Sequence, residues 1–507
     1  MPNNKKKNKK KNDSTSPVKT FKKRDILIIS LILLIAFFFR LYKINTSLTD
    51  HHSWRQADTA SVARTFVRSG FDLLHPRYHD LSNIQSGLDN PQGYRFVEFP
   101  LYNALFALLY KYIPIFPLEV YGRLVTSFFS LITIVCIYLL VLKEEDRIAA
   151  TVASLVFAVF PFFVFFSRVV LPDMTALSLT FVSLLFLYIH LERRENNRSI
   201  TTWLFYGISL IAMAFAILIK PTTIFYYIPV VYLFFKTYSF ALFKKIRVYF
   251  YGISLVPLVL WRIWMVQFKE GIPFASWLLT QVNTPQGRQT IFFRPAFFRW
   301  IFEERILLLI LGGYLTALVI VGIVKKHKKS LFFHSIGITS LVYLFVFQGG
   351  NVQHDYYQIL ILPPLAIFAG LGTRYIIYEK KTMGTLFIKI SLLVFVFCAS
   401  FLFSLYRMKG FYATNSGLVS IGKIVNTLTE KDAKIATDTT GDTTLLYLAD
   451  RKGYPAPTKE FKDLEKDGIV YFVTMKKEAA DSLKKTYPII FENDTVYILK
   501  LVPGRMK

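Results

Sequence analysis

Residues 101–117 read LYNALFALLYKYIPIFP, and whether this run crosses a bilayer decides on which side everything after it lies. An apolar helix needs about 20 residues to cover a hydrocarbon core of about 30 Å. This run is shorter and is interrupted by Lys111 and Pro114. A proline inside a helix removes one hydrogen bond and clashes with the preceding turn. The run is therefore read as a helix lying in the outer interface.

Around it stand eleven longer apolar runs, near 26–42, 122–142, 148–166, 174–190, 201–219, 222–239, 248–266, 304–324, 331–348, 358–378 and 384–405. Each has the length a spanning helix requires. The first ends in FFFRLYK with no small-residue cleavage site, so it reads as an uncleaved span. Before it, residues 1–24 hold ten Lys/Arg against one acid, Asp13, and read as a disordered cytoplasmic tail.

Charge fixes the orientation. With 101–117 left outside, the short inner loops carry 16 basic residues. These are Lys143 and Arg147; Arg193, Arg194 and Arg198; Lys236, Lys244, Lys245 and Arg247; Lys325, Lys326, Lys328 and Lys329; and Arg374, Lys380 and Lys381. The short outer loops carry six: Arg168, Lys220, Lys269, Arg288, Arg294 and Arg299. A crossing at 101–117 would invert that excess, against the positive-inside rule.

The expected fold is an α-helical polytopic membrane protein of about eleven spans, with interfacial helices in the first outer loop. Its N-terminus is cytoplasmic, and residues 44–121 and 407–507 lie outside. The membrane domain runs over 25–406. The tail, 407–507, reads as a small extracytoplasmic α/β domain: GLVSIGKIVNTL (417–428) has helical spacing, and AKIAT, IVYFVTM and TVYILKL read as strands.

Composition agrees. Of 507 residues 53% are hydrophobic and 19% charged, against about 25% charged in soluble domains. That excludes an ordinary soluble enzyme and a disordered chain. Two cysteines, Cys136 and Cys398, both in apolar runs, exclude a disulfide scaffold and read as packing residues. The net charge of +28 goes with long apolar runs. It is read as membrane topology, with the bilayer as partner and no nucleic acid.

On this topology the unusual polar residues gather on the outer side. The first loop begins TDHHSWRQADTASVARTF, with Asp50, His51, His52, Arg55 and Asp58 close behind the first span, and Trp54–Phe66 patterned as a helix. FVEFPLYN adds Glu98, FSRVVLPDM adds Arg168 and Asp173, LIKPTT adds Lys220, and GGNVQHDYYQ adds His354, Asp355, Tyr356 and Tyr357. Singly, such residues are ordinary interfacial anchors. Together they supply carboxylates that accept a proton and cations that hold a phosphate near the headgroup plane.

Glu98 before Phe99-Pro100, the acidic first loop, LPD at Leu171–Asp173 and KPT at Lys220–Thr222 resemble the GT-C glycosyltransferases. The similarity is to bacterial members akin to protein O-mannosyltransferases and lipid A aminoarabinose transferases, over about residues 25–405. WRQADTA, HDYYQ and RKGYP also resemble bacterial members. The resemblance implies inverting transfer of a hexosyl or pentosyl group from a polyprenyl-phosphate carrier to an extracytoplasmic acceptor (protein, lipid or envelope glycan) at a cell membrane. It places the catalytic acid in the first outer loop, commonly in an Asp-Glu pair. Here the loop has Asp50-His51 and Gln56-Ala57-Asp58 instead, which leaves Asp50 and Asp58 as the two candidates, Asp50 being favoured because it is nearer the first span and the membrane plane where a lipid-phosphate donor presents its anomeric carbon.

In that reading Lys220 and Arg168 neutralise the departing lipid phosphate. Asp173, Glu98, His51, Arg55, Tyr356 and Tyr357 orient acceptor, sugar or bases. Glu98 with His354 is the candidate pair for a divalent metal, the only cofactor considered. A polymerase or ligase acting on lipid-linked oligosaccharide shares the side and the carrier. A secondary transporter would instead show inverted repeats and midplane charges.

Overall fold

The computed structural model describes residues 21–194, 200–325, 330–379 and 384–501. The tail up to residue 20, the inner-loop residues Arg198, Lys326, Lys328, Lys329, Lys380 and Lys381, and the side chain of Arg194 lie outside them.

Helices cover the apolar runs. The first eight are α1 (Lys23–Leu41), α2 (Ser53–Ser69), α3 (Leu101–Tyr112), α4 (Leu118–Glu144), α5 (Arg147–Val159), α6 (Pro161–Phe166), α7 (Asp173–Arg194) and α8 (Ile200–Ile219). Pro161 divides the run at 148–166 because it fits the first turn of a new helix and not the interior of the old one. Helical segments Pro221–Lys244, Ile246–Met265, Phe332–Val346, Asp355–Tyr378 and Leu386–Met408 follow. Among the described residues, seven helical segments are long and apolar enough to cross a membrane. The chain is a multi-pass membrane protein.

A second run also departs from its expected form. Residues 304–324 read as one span, but Pro295–Ile310 and Leu315–Val324 meet at 115°. The break lies at Gly312 and Gly313, whose φ values of +60° and +78° suit glycine. A Cβ at Gly312 would lie 1.9 Å from the carbonyl oxygen of Ser400. The apolar pattern was legible; the close approach of a second helix was not.

The deciding stretch forms α3, which ends at Tyr112, before Pro114. Its 12 residues extend about 18 Å at 1.5 Å each, too little to cross. Tyr102, Phe106 and Ala107 pack inward, while Leu105, Leu108 and Leu109 are exposed.

The bundle has two chemically different ends. At one, basic loop residues close on acids: Arg147 on Asp25 at 2.5 Å, Lys143 on Glu192 and Lys236 on Glu144 at 2.6 Å, and Arg374 on Asp146 at 2.5 Å. At the other, α1 and α8 end, α4 and α7 begin, and residues 42–121 and the C-terminal region are carried.

Sheet structure is confined to two places. Strands β1 (Gln281–Thr284) and β2 (Gly287–Thr290) form a hairpin. The C-terminal region holds β3 (Lys434–Thr437), β4 (Gly453–Tyr454), β5 (Ile469–Thr474), β6 (Ile489–Glu492) and β7 (Tyr497–Lys500) in the order β4-β3-β5-β7-β6. β3 runs parallel to β4 and β5, and β7 antiparallel to β5 and β6. The sheet docks on the first long loop: the amide of Leu81 donates to Gly453 (2.8 Å), and that of Gly453 to His79 (2.9 Å).

Candidate active site

The turn from α1 into α2 is built around one carboxylate. Asp50 is 4% exposed; its Oδ1 accepts from Gln56 Nε2 at 2.7 Å, and its Oδ2 faces Arg168 at 3.2 Å and Arg123 at 3.5 Å. Both arginines are fully buried and also bind main chain. Arg123 donates to the carbonyls of Ile44 (2.8 Å) and Thr46, and Arg168 to that of Lys43 at 3.3 Å. Gln56 closes the ring by accepting from the amide of Val170 at 3.1 Å. Apart from the Nε of each arginine, which has no hydrogen-bond partner among the described residues, the network is paired, and it fixes the loop and the entry to α2.

Asp58 lies further along α2, 1% exposed. Thr443 of the C-terminal region donates to its Oδ1 at 2.7 Å. Its Oδ2 lies 2.8 Å from Arg95 yet accepts no aligned hydrogen bond among the described residues. Asp58 lines a small cleft together with Arg55, Thr59, Arg95 and Glu98. From the other side Asn103 of α3 donates to the Thr59 carbonyl at 2.7 Å, tying α3 to α2.

Beside that cleft four charges alternate. Arg55 grips both oxygens of Glu98 at 2.6 and 2.8 Å. Lys220 lies 3.2 Å from Glu98 Oε1 and 2.9 Å from Asp173 Oδ1. Lys220 holds this place because Pro221 starts a tight 3-10 turn as α8 ends. The rings of Tyr357 and Tyr356 lie 5.3 and 5.9 Å from its Nζ, within cation–π range. Glu98 is the most open member, its side chain 11% exposed.

Burial alone would push the Glu98 carboxyl up, but the Arg55 and Lys220 charges outweigh it and hold it at about 2. The same pairs raise Arg55 and Lys220 against their own burial. A carboxyl held low in the folded state stabilises it above its free value of about 4.3 and loses that contribution as pH falls towards 2. Over that window the contribution is about 3 kcal/mol. The stability gap between wild type and Glu98→Gln, read from melting in detergent, should therefore narrow as pH falls from 4.5 to 2. A gap unchanged with pH would show that Glu98 is not ionised here.

A third cluster sits at the start of Asp355–Tyr378. His51 Nε2 and His52 Nε2 reach Asp355 Oδ2 and Oδ1 at 2.8 and 2.7 Å, with Arg305 at 3.7 Å. His354 turns aside to stack on Tyr356, ring centroids 5.4 Å apart. Glu98 and His354, the pair considered for a metal, are not joined by an ion pair or hydrogen bond among the described residues. Glu98 faces Arg55 and Lys220.

All the expected site residues thus lie at one end of the bundle, in three clusters. Arg95, Arg123, Arg305 and Thr443 were not anticipated. Arg123 had a readable signal: a guanidinium inside the apolar EVYGRLVTSF is expensive unless paired. Thr443, 385 residues from its partner Asp58, had none.

Residues 100–264, which include Arg168, Asp173 and Lys220, match the family model described as dolichyl-phosphate-mannose-protein mannosyltransferase. The structure is similar to that of ArnT from Cupriavidus metallidurans bound to undecaprenyl phosphate. The TM-score is 0.64 at 14% identity, over 94% of this chain and 98% of that one. The chain has the GT-C glycosyltransferase fold. The archaeal oligosaccharyltransferase AglB from Archaeoglobus fulgidus, in complex with an inhibitory peptide and a dolichol-phosphate, gives 0.58 at 11% identity, over 89% of this chain and 69% of that one. The arabinofuranosyltransferase AftD from Mycobacteria gives 0.60 at 13%, over 96% of this chain and 40% of that one. Among curated proteins none matches the sequence. At these identities the shared feature is the arrangement of helices.

Proposed function

We propose that the protein transfers a sugar, with inversion, from a polyprenyl-phosphate carrier to an acceptor on the extracytoplasmic side of a cell membrane. The observation that carries this reading is the buried Arg55–Glu98–Lys220–Asp173 chain beside the Asp58 cleft, on a GT-C framework. The acceptor oxygen attacks the anomeric carbon, its proton passes to a carboxylate, and the bond from that carbon to the phosphate oxygen breaks. Negative charge grows on the departing polyprenyl phosphate.

Of the two carboxylates open from the sequence, the proposal takes Asp58 as base. Asp58 lines the cleft, its Oδ2 ion-paired with Arg95 but without an aligned hydrogen bond among the described residues, whereas Asp50 is enclosed by Gln56, Arg123 and Arg168. General-base work needs a carboxylate at the cleft. Asp50 then shapes the loop, and Arg168, enclosed with it, supports Asp50. Lys220 is assigned the phosphate, aided by Arg55 as Glu98 yields to the incoming anion. Asp173 positions Lys220, and Tyr356 and Tyr357 wall the site. The C-terminal region acts as a brace: Arg64 of α2 donates to the Tyr447 carbonyl at 2.7 Å and stacks on its ring, centroid 3.7 Å away.

The orientation follows the charge distribution. In a chain without Cys136 and Cys398, cysteines at Ser86 and Ser482 should react with an impermeant thiol reagent in intact cells. One at Lys325 should not. The reverse pattern would put the site in the cytoplasm.

Carrier binding is tested by native mass spectrometry of the purified protein with undecaprenyl phosphate and phosphatidylglycerol together. The reading requires retention of the former over the latter. Equal retention of both lipids would oppose it.

A further inference from the structure

His51 and His52 are consecutive in sequence, yet both rings turn to one carboxylate, their centroids 4.1 Å apart. They do so because His52 adopts a left-handed conformation, φ 56° and ψ 39°, as it caps α2. A non-glycine residue there is held against a backbone preference of about 1 kcal/mol. Among the described residues, this is the group of three or more His, Cys, Asp or Glu side chains whose ligand atoms converge, all within 4.8 Å of one another.

We propose that His51 Nε2, His52 Nε2 and the Asp355 carboxylate form a binding site for one divalent transition-metal ion, Zn²⁺ by the chemistry of its donors. Two imidazoles and a carboxylate are a common three-ligand set for zinc, with the fourth position left to water or substrate. Ligands about 2.1 Å from a tetrahedral ion lie about 3.4 Å apart. The present contacts of 2.7 and 2.8 Å need open by only about 0.6 Å on that basis. The fourth position falls on the side of His51, whose side chain is 30% exposed against 13% for His52. Phe411 covers the other face of His51, ring centroids 3.9 Å apart, giving the apolar surround that sharpens a metal site.

The place matters as much as the ligands. The site pins the start of α2 to the segment that carries Tyr356, whose ring lies 5.1 Å from that of His52 and 5.9 Å from Lys220 Nζ. An ion there would fix the wall of the proposed phosphate site without entering the chemistry assigned to Asp58. Metal binding by these side chains stands whether or not sugar transfer is the reaction, and its test does not use activity.

The purified full-length protein is stripped with chelator, then titrated with Zn²⁺ and, separately, with Co²⁺. The expected result is one Zn²⁺ per chain and an intense visible Co²⁺ absorption that Zn²⁺ abolishes. His52→Gln and Asp355→Asn should each weaken Zn²⁺ binding at least about 100-fold. His75→Gln, which alters a histidine paired with Asp72 elsewhere, should leave it unchanged. If either buried variant fails to fold, His51→Gln at the open edge and the wild-type Co²⁺ spectrum decide the matter. No stoichiometric ion in the wild type, or full affinity in the variants, would overturn the proposal and leave a hydrogen-bonded His–Asp–His cluster.

Discussion

Turnover is expected to fall about 10²–10⁴-fold in Asp58→Asn, with donor binding nearly unchanged. The substitution keeps shape and can keep both neighbours. An Asn oxygen can face Arg95, and its amide can donate to the Thr443 hydroxyl, which is donor and acceptor alike. What is lost is the negative charge and basicity that take the acceptor's proton. Asp50→Asn should behave differently. It removes the only carboxylate facing Arg123 and Arg168 in that cluster, and stranding buried cations typically costs about 3–5 kcal/mol. Its defect should therefore appear in folded yield and melting before it appears in turnover. A well-folded, inactive Asp50→Asn beside an active Asp58→Asn would move the base to Asp50. Full activity in both would remove the first-loop carboxylates from the chemistry.

The second large effect is expected at Lys220. Lys220→Met leaves Asp173, fully buried, without its cation, so a loss of about 3–5 kcal/mol in stability is expected. Glu98 is affected less, since Arg55 still holds both its oxygens. Stability and donor binding can be separated by the double variant Lys220→Met/Asp173→Asn, which removes the stranded charge. It should recover folded yield while donor affinity stays low. Lys220→Arg should recover only part of the affinity, because a planar fork does not reproduce a compact ammonium between Glu98 and Asp173. Donor titration at equal folded yield is the measurement. Normal donor affinity in the double variant would make Lys220 a structural cation only.

Much of this arrangement was legible in the chain. Apolar runs of spanning length marked the helices, and the spacing over Trp54–Phe66 marked α2, found at Ser53–Ser69. The strand patterns AKIAT, IVYFVTM and TVYILKL correspond to β3, β5 and β7. These are local signals, set by period and composition. β4, two residues long, and β6, half exposed, carry no such pattern and are defined by their neighbours in the sheet.

The site divides in the same way. Residue types and their gathering at one end of the bundle could be read; partners could not. Lys220 and Glu98 are 122 residues apart, and Arg168 and Asp50 are 118 apart. Nothing local says that Arg168 closes on Asp50 while Lys220 takes Glu98 and Asp173. That choice is made by the packing of α4, α7 and α8 around the loop. The convergence of His51 and His52 on Asp355 depends likewise on a left-handed residue that no composition signal announces.

If this protein of GT-C fold consumes a polyprenyl-monophosphate sugar as proposed, the lipids of the cell report on that directly. The measurement is mass spectrometry of polyprenyl lipids from cells lacking the protein, and from the same cells carrying either wild type or Asp58→Asn. One polyprenyl-monophosphate sugar should accumulate, wild type should clear it and Asp58→Asn should not. An unchanged lipid profile would rule out the proposed donor, and so would accumulation of a diphosphate-linked oligosaccharide in its place, the signature of a polymerase or ligase.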